Sequence, residues 1–213
     1  HLGPHPWRKK PAAQAMNFAT ELVRECVAAG FCKIHLDTGL ACADDPGSHL
    51  PMEITAERAA VLCRAAEAAA ERQPANRPRP LYVIGAEVPP PGGALEDPAQ
   101  LKVTTAGEVA QIIAVAERCL RSVGLDAAWE RVMAVVVQPG VDFGDTRVAR
   151  YQSDKAAALS ASHAKLPGIM TYEIHATDYQ TPEALAQMVR DHFTLLKAGP
   201  CLTNAYREAL FAL

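Results

Sequence analysis

Segments with apolar residues at helical spacing alternate along this chain with short, nearly continuous apolar runs. Residues 12–30 carry apolar side chains near helical spacing and stop at Gly30, a residue type favoured at helix C-termini. The segment 31–37, "FCKIHLD", follows at once and has the composition of a strand. The same alternation continues to the end of the sequence. The pattern therefore predicts helices and strands in turn.

The remaining predicted elements follow the same order. Further helices are predicted over 54–73, 105–124, 154–165 and 182–192, with a last helix from about Pro200. Further strands are predicted over 81–88, 132–140, 168–175 and 193–199. Thr55 and Thr181 are the predicted N-caps of two of these helices. Five apolar strands, each preceded by a helix, predict an α/β fold with a parallel sheet buried on both faces.

Polar residues gather where the predicted strands end. They are His35, Asp37, Glu87, Gln138, His175 and Asp178. A barrel builds its site from several strand ends at once, whereas an open sheet concentrates ligands at one switch point. No G-x-G-x-x-G motif follows any strand. We therefore predict a (β/α)8 TIM barrel. Because the chain starts without methionine and ends inside the apolar run "REALFAL", we expect residues 1–213 to be a single incomplete domain that lacks its first strands.

Composition and charge exclude several classes of partner. The chain is 49% hydrophobic and 21% charged, with a formal charge of −3. No basic stripe is present to attract nucleic acid or an anionic membrane. No apolar run reaches the roughly 18 residues of a membrane span, and no P-loop motif predicts a nucleotide site. Six cysteines without a C-x-x-C pair indicate reduced thiols and a cytoplasmic protein.

His175 is the strongest candidate for chemistry. It follows a buried strand, and its neighbours Thr177 and Asp178 are placed to orient its ring. This arrangement suits a metal ligand with a supporting hydrogen bond beside it. A lone histidine is also common as a satisfied core residue, so both interpretations stay open. His1 would join His175 in space if it closes the missing third strand.

Three other polar residues at strand ends have two interpretations each. His35 and Asp37 share one face of their strand, where they would bind a hydroxylated ligand or satisfy one another. Glu87 ends an apolar strand, where a carboxylate is costly unless it meets a cation, a metal or hydrogen-bond donors. A structural hydrogen bond to the following proline-rich loop is the alternative for Glu87.

The last predicted strand leads through Gly199 and Pro200 into a helix. Helix N-termini after the last strands of a barrel commonly hold a phosphate, because exposed amides and the helix dipole point at it. The polar residues early in this helix, Thr203, Asn204 and Arg207, are therefore candidate substrate-binding residues.

Several long segments together carry a family resemblance. They are "HLGPHPW", "KIHLD", "YVIGAEVPPPGG", "VVVQPGVDF", "YEIHATDYQT" and "VRDHFTLLKAGPCLTNAYREALFAL". The chain resembles, from end to end, the non-catalytic subunit of class II D-tagatose-1,6-bisphosphate aldolase, a family whose members have also been named tagatose-6-phosphate kinases. The resemblance implies a class II aldolase-like TIM barrel that acts in galactitol, tagatose or N-acetylgalactosamine catabolism. It also implies that the chain lacks the first strands and a largely helical C-terminal extension. It further implies an oligomer in which a separate catalytic subunit carries the zinc.

The resemblance assigns roles to individual residues. His1 and His175 fall where the zinc ligands of the aldolases lie, and Glu87 would complete a set for Zn or Mn. Gln138 stands where a catalytic aldolase has another histidine, so aldol cleavage by this chain alone is not expected. Gln138, Gln180 and His35 become substrate-binding candidates, and Asp178 becomes a pocket residue.

Two functions follow from the resemblance and the residues together. The first is a supporting subunit, required for the activity and stability of a catalytic aldolase subunit and bound to a phosphorylated sugar. The alternative is a metal-dependent ketose or sugar-acid epimerase that acts on its own, with Asp37 or Asp178 moving protons. A tagatose-6-phosphate kinase ranks last, because no nucleotide motif supports it.

Overall fold

The computed structural model describes residues 9–47, 50–85 and 101–213. The helices in these residues are α1 (Ala12–Ala28), α2 (Met52–Glu71), α3 (Ala106–Ser122), α4 (Asp126–Trp129), α5 (Ser153–Ser162), α6 (Pro182–Arg190) and α7 (Pro200–Phe211). The strands are β1 (Lys33–His35), β2 (Leu81–Ile84), β3 (Val132–Val136), β4 (Asp142–Phe143), β5 (Val148–Ala149), β6 (Thr171–Ile174) and β7 (Phe193–Leu196). A short 3-10 helix, His163–Lys165, follows α5.

Five of the strands form a parallel sheet in the order β1-β2-β3-β6-β7. Lys33 pairs with Leu81 at the start of β1 and β2, and Tyr172 pairs with Phe193 in β6 and β7. Strands and helices alternate as the sequence predicted, so the α/β class is confirmed. The strands β4 and β5 form a separate antiparallel pair that the sequence did not predict. Each has two residues, too few to produce a periodic pattern.

Contacts in the chain cluster into two compact units. The described residues of unit 1 are 9–47, 50–85, 110–135 and 168–170, and those of unit 2 are 101–109, 136–167 and 171–213.

Small side chains dominate the packing of unit 1. Helix α1 buries Ala15, Ala19, Val23 and Val27 at a spacing of four residues, and it packs on the alanine-rich α2. Helix α2 begins at Met52 after Pro51, so the predicted N-cap Thr55 was wrong. Pro51 supplies the φ angle of the boundary, and the Thr55 hydroxyl instead donates to the Pro51 carbonyl oxygen.

A charged network lies in unit 1 beside the start of β3. Arg131 donates to both carboxylate oxygens of Glu67, with Nη2 2.6 Å from Oε2 and Nη1 3.0 Å from Oε1. The Tyr82 hydroxyl donates to the same carboxylate. Burial raises the pKa of the Tyr82 hydroxyl, and the neighbouring Cys63 and Glu67 raise it further. This network satisfies a partly buried carboxylate with charge-assisted hydrogen bonds.

Aromatic side chains form the core of unit 2. The rings of Tyr172 and Phe193 are fully buried with centroids 5.7 Å apart. His163 stacks on His192 with centroids 4.8 Å apart. The predicted N-cap Thr181 is confirmed, because its hydroxyl oxygen accepts from the Ala184 backbone N–H. Of the helices that the structure describes, none is long and apolar enough to cross a membrane.

Candidate functional site

Two ionisable residues at the end of β6 lie on the same face of this strand, in unit 2. Because side chains alternate along a strand, Tyr172 and Ile174 lie on one face, and Glu173 and His175 lie on the other. Glu173 has no solvent exposure, and His175 is also buried. A fully buried carboxylate requires a cation or several donors, so the surroundings of Glu173 decide what this face can do.

Lys197, directly after β7, supplies that cation. Its Nζ lies 3.1 Å from Glu173 Oε1 and 3.1 Å from His175 Nε2. The same oxygen and ring nitrogen are 3.1 Å apart. His175 Nε2 either donates to Glu173 or accepts from Lys197, but it cannot do both. The Lys197 ammonium has several N–H donors, so it can donate to Glu173 and to His175 at the same time. We call Glu173, His175 and Lys197 the β6–β7 cluster.

Backbone hydrogen bonds fix the position of this cluster. The Lys197 N–H donates to the Ile174 carbonyl oxygen at 2.9 Å, and the Thr177 N–H donates to the Lys197 carbonyl oxygen at 3.1 Å. The Thr177 hydroxyl donates to the same carbonyl oxygen. The turn after β6 holds Ala176 and Tyr179 at positive φ, 53° and 62°, a conformation that costs energy in residues other than glycine. The lysine side chain is 41% exposed, so the ammonium also reaches solvent.

Asp178, a predicted catalytic residue, caps helix α7. Its Oδ1 accepts from the Gly199 N–H at 3.0 Å and from the Cys201 N–H at 2.8 Å. Burial alone would raise the pKa of this carboxyl, but the hydrogen bonds from Cys201 and Gly199 outweigh it and lower the pKa. These two amides are the ones that a phosphate at the start of α7 would need. Proton transfer by Asp178 stays a prediction.

Gln180 and Gln138 both use their side-chain amides to hold loops. Gln180 is buried, donates to the Ala149 carbonyl oxygen and accepts from the Tyr151 N–H. Gln138 Oε1 accepts from the N–H groups of Gly140 and Val141, at 2.7 and 2.8 Å, in the turn after β3. Their predicted contacts with a substrate are not tested by this geometry, and both contribute to the shape of unit 2.

The remaining predicted site residues that the structure describes have contacts of their own. In unit 1, His35 Nε2 is 2.8 Å from the Gly85 carbonyl oxygen, and Asp37 Oδ1 accepts from the Gly39 N–H at 3.4 Å. On α7 of unit 2, Thr203, Asn204 and Arg207 are exposed. The Arg207 guanidinium lies 3.4 Å from Glu208 and stacks over the Phe211 ring. His1 and Glu87 lie outside the described residues.

The structure thus groups His175, Asp178 and Gln180 in unit 2 and adds two residues that the sequence analysis did not name. These are Glu173 and Lys197. A carboxylate in the middle of the apolar strand 171–174 was a usable signal, because such a group needs a partner. Its partner stands 24 positions later along the chain (197 − 173), and no sequence pattern joins the two.

The donor chemistry of the β6–β7 cluster suits a divalent cation in part. A carboxylate oxygen and an imidazole nitrogen are ligands for Zn and Mn, and their 3.1 Å separation suits binding to one ion. The Lys197 ammonium already contacts both atoms, so a metal ion would have to displace it. Glu173 and His175 fit a metal only in competition with this lysine.

Comparison with known proteins identifies the family. The family model described as D-tagatose-1,6-bisphosphate aldolase subunit GatZ/KbaZ-like matches residues 1–213. A relative named D-tagatose-1,6-bisphosphate aldolase subunit GatZ, from Klebsiella pneumoniae, is 50% identical over 215 residues, which cover 100% of this chain and 49% of the relative. A relative of the same name from Salmonella typhimurium is 48% identical over 213 residues, with 100% and 49% covered.

A solved structure is similar as well. The crystal structure of a probable tagatose 6 phosphate kinase from Sinorhizobium meliloti is 40% identical, with a TM-score of 0.80 over 99% of this chain and 48% of that chain. The chain spans about half the length of the curated relatives it matches. A match over all 213 residues, together with relatives at 48–50% identity, shows that the chain belongs to the D-tagatose-1,6-bisphosphate aldolase subunit GatZ/KbaZ-like family.

Proposed function

We propose that the chain belongs to a supporting subunit of a tagatose-bisphosphate aldolase, which acts with a separate catalytic subunit in the cytoplasm. The names of the curated relatives support the assembly, because each is called a subunit of this aldolase. The non-catalytic role, the phosphorylated sugar ligand and the pathway of galactitol, tagatose or N-acetylgalactosamine catabolism are parts of the same proposal.

The β6–β7 cluster is the observation that carries the non-catalytic role. Aldol cleavage of the class II type needs a Lewis acid that polarises a carbonyl group. In this chain the buried Glu173 and His175 already contact the ammonium of Lys197, at 3.1 Å each. An ammonium donates hydrogen bonds to sugar hydroxyl or phosphate oxygens, but it supplies no open coordination position. The cluster is therefore suited to binding, and the catalytic subunit would supply the reacting metal.

We also propose that the parallel sheet is part of a (β/α)8 barrel. The order β1-β2-β3-β6-β7 follows the chain without reversal. Doubly wound sheets reverse their strand order at a switch point, whereas barrel strands follow one another in sequence. The position of the cluster at the carboxyl ends of β6 and β7 agrees with a barrel, where binding residues gather at that end.

The test is reconstitution with the catalytic subunit. The rate of tagatose 1,6-bisphosphate cleavage and the half-life of the catalytic subunit at 37 °C are measured with and without the purified protein. We expect both to increase on mixing and the protein alone to be inactive. Cleavage by the protein alone would remove the supporting role. Unchanged rate and half-life, with complex formation absent by size-exclusion chromatography, would do the same.

An epimerase is the second candidate, and one observation favours it. A carboxylate, an imidazole and an amine lie in mutual contact at strand ends, and such groups can move protons next to a carbonyl group. If Zn or Mn binds there, Glu173 and His175 would hold it, and the ion would polarise the carbonyl. Interconversion of ketose phosphates by the protein alone, abolished by Glu173→Gln, would establish this function. ATP-dependent phosphorylation of tagatose 6-phosphate would establish a kinase instead.

A further inference from the structure

Unit 2 contains a cavity of about 390 Å³ between the turn after β3 and the start of α5. This volume is within the range of small-ligand sites. The cavity lies beside β5 and does not include any residue of the β6–β7 cluster. No role has been assigned to it by the sequence pattern or by the proposed aldolase activity.

Apolar residues form part of the cavity lining. They include Leu101, Val103 and Val148. Gly140 also lines the cavity, at a φ of 94° that residues with a side chain rarely adopt. The hydrogen bonds from the Gly140 and Val141 amides to Gln138 fix this turn, so this part of the lining is preformed.

Two positively charged residues also line the cavity. Arg150 and Lys155 both line the cavity and are exposed. Arg150 Nη1 donates to the Tyr179 carbonyl oxygen, which positions its guanidinium without neutralising it. Within the described part of the chain, neither cation forms an ion pair with a carboxylate. Asp154 lies between them in sequence, in the first turn of α5, but it does not line the cavity.

We propose that this cavity binds the phosphate group of a small phosphate monoester. Arg150 and Lys155 would hold the phosphate oxygens by charge-assisted hydrogen bonds, for which a guanidinium and an ammonium are well suited. Gln152 also lines the cavity and offers an amide donor. The apolar residues of the lining would contact the carbon chain. The sugar moiety rests on the proposed function, whereas the phosphate rests on the charges alone.

Isothermal titration of the purified protein tests this inference, with fructose 6-phosphate, fructose and inorganic phosphate as probes. We expect fructose 6-phosphate to bind, inorganic phosphate to bind more weakly and compete with it, and fructose not to bind. Lys155→Met should weaken binding of the ester about 10-fold, and Lys155→Met with Arg150→Met more than either alone. Lys165 is an exposed lysine outside the cavity, so Lys165→Met is the matched control. This variant should bind the ester as the wild type does.

The opposite results are distinct from those that test the aldolase role. Absence of ester binding, or equal affinity in the wild type and the folded Lys155→Met variant, would overturn the cavity assignment even if the protein stimulates the catalytic subunit. Ester binding that weakens only in Glu173→Gln would move the site to the β6–β7 cluster and overturn it as well. Equal melting temperatures of the variants establish that they are folded.

Discussion

Replacement of Lys197 by methionine is the sharpest perturbation of the β6–β7 cluster. The substitution keeps most of the side-chain volume and removes the ammonium that contacts Glu173 and His175 at 3.1 Å. Glu173 is then a fully buried carboxylate without its cation. We expect the protein to lose stability, because a buried charge that loses its cationic partner retains its desolvation penalty without the compensating attraction.

The exposure of the lysine limits the size of this loss. Removal of one partner from a fully buried ion pair costs about 3–5 kcal/mol. The Lys197 side chain is 41% exposed, so water screens the pair and relaxes into the gap. We therefore expect the free energy of unfolding to fall by about 2 kcal/mol, in the range for an unsatisfied buried group. Urea titration at pH 7 measures it.

Two further variants check the origin of the loss. Lys165→Met removes an exposed lysine and should change stability by less than about 0.5 kcal/mol. Glu173→Met combined with Lys197→Met removes the buried charge as well and should recover most of the loss. A loss below about 0.5 kcal/mol in Lys197→Met, or no recovery in the double variant, would refute the electrostatic reasoning.

Three other predictions concern unit 1 and the rest of unit 2. Asp178→Asn should cost about 1–2 kcal/mol of unfolding free energy at pH 7 through the α7 cap. The pKa of Asp178 is lower in the folded than in the unfolded protein. The cap therefore contributes its full stabilisation above the unfolded pKa of about 3.9, and this stabilisation is lost as pH falls through the folded pKa. Urea titrations at pH 7 and 3 detect the difference. Arg131→Met should cost about 2–3 kcal/mol by the same measurement, because Glu67 loses two charge-assisted hydrogen bonds. Burial, and then His192, lower the pKa of His163, so stability should fall as pH drops below the unfolded value of about 6.5, and His163→Phe should flatten this slope.

Controls for these variants come from the same chain. Arg118→Met removes an exposed arginine of α3 and should leave stability nearly unchanged. Asp154→Asn is the control for Asp178→Asn, because it removes an exposed aspartate that makes no cap hydrogen bond at α5. A pH-independent difference between wild type and Asp178→Asn, or an unchanged slope in His163→Phe, would contradict the assigned causes.

Regular periodicity made most of the fold predictable. Every predicted strand and helix has a counterpart in the structure, and Thr181 begins α6 as expected. The features that the sequence did not predict are short elements and element boundaries. Helix α4, with four residues, and the pair β4 and β5 are too short for a periodic signal. Proline at position 51 determined the start of α2, where a threonine cap was expected.

The site was predictable only in its residue types. His175 and Asp178 stood out because they follow a buried strand. However, Lys197, which contacts His175, and the two amides that contact Asp178 lie about 20 residues further along the chain. The sequence predicts proton transfer for Asp178, whereas its contacts with the amides of Gly199 and Cys201 depend on the packing of the turn beside α7. The ammonium of Lys197 enters the cluster through pairing of β6 with β7, which residue spacing does not determine.

Titration of the catalytic aldolase subunit with the purified protein tests the central claim most directly. The initial rate of tagatose 1,6-bisphosphate cleavage is followed as the protein is added to a fixed amount of the catalytic subunit. We expect the rate to rise and saturate, with no cleavage by the protein alone at any concentration. Cleavage by the protein alone, or a rate that stays constant throughout the titration, would contradict a supporting subunit.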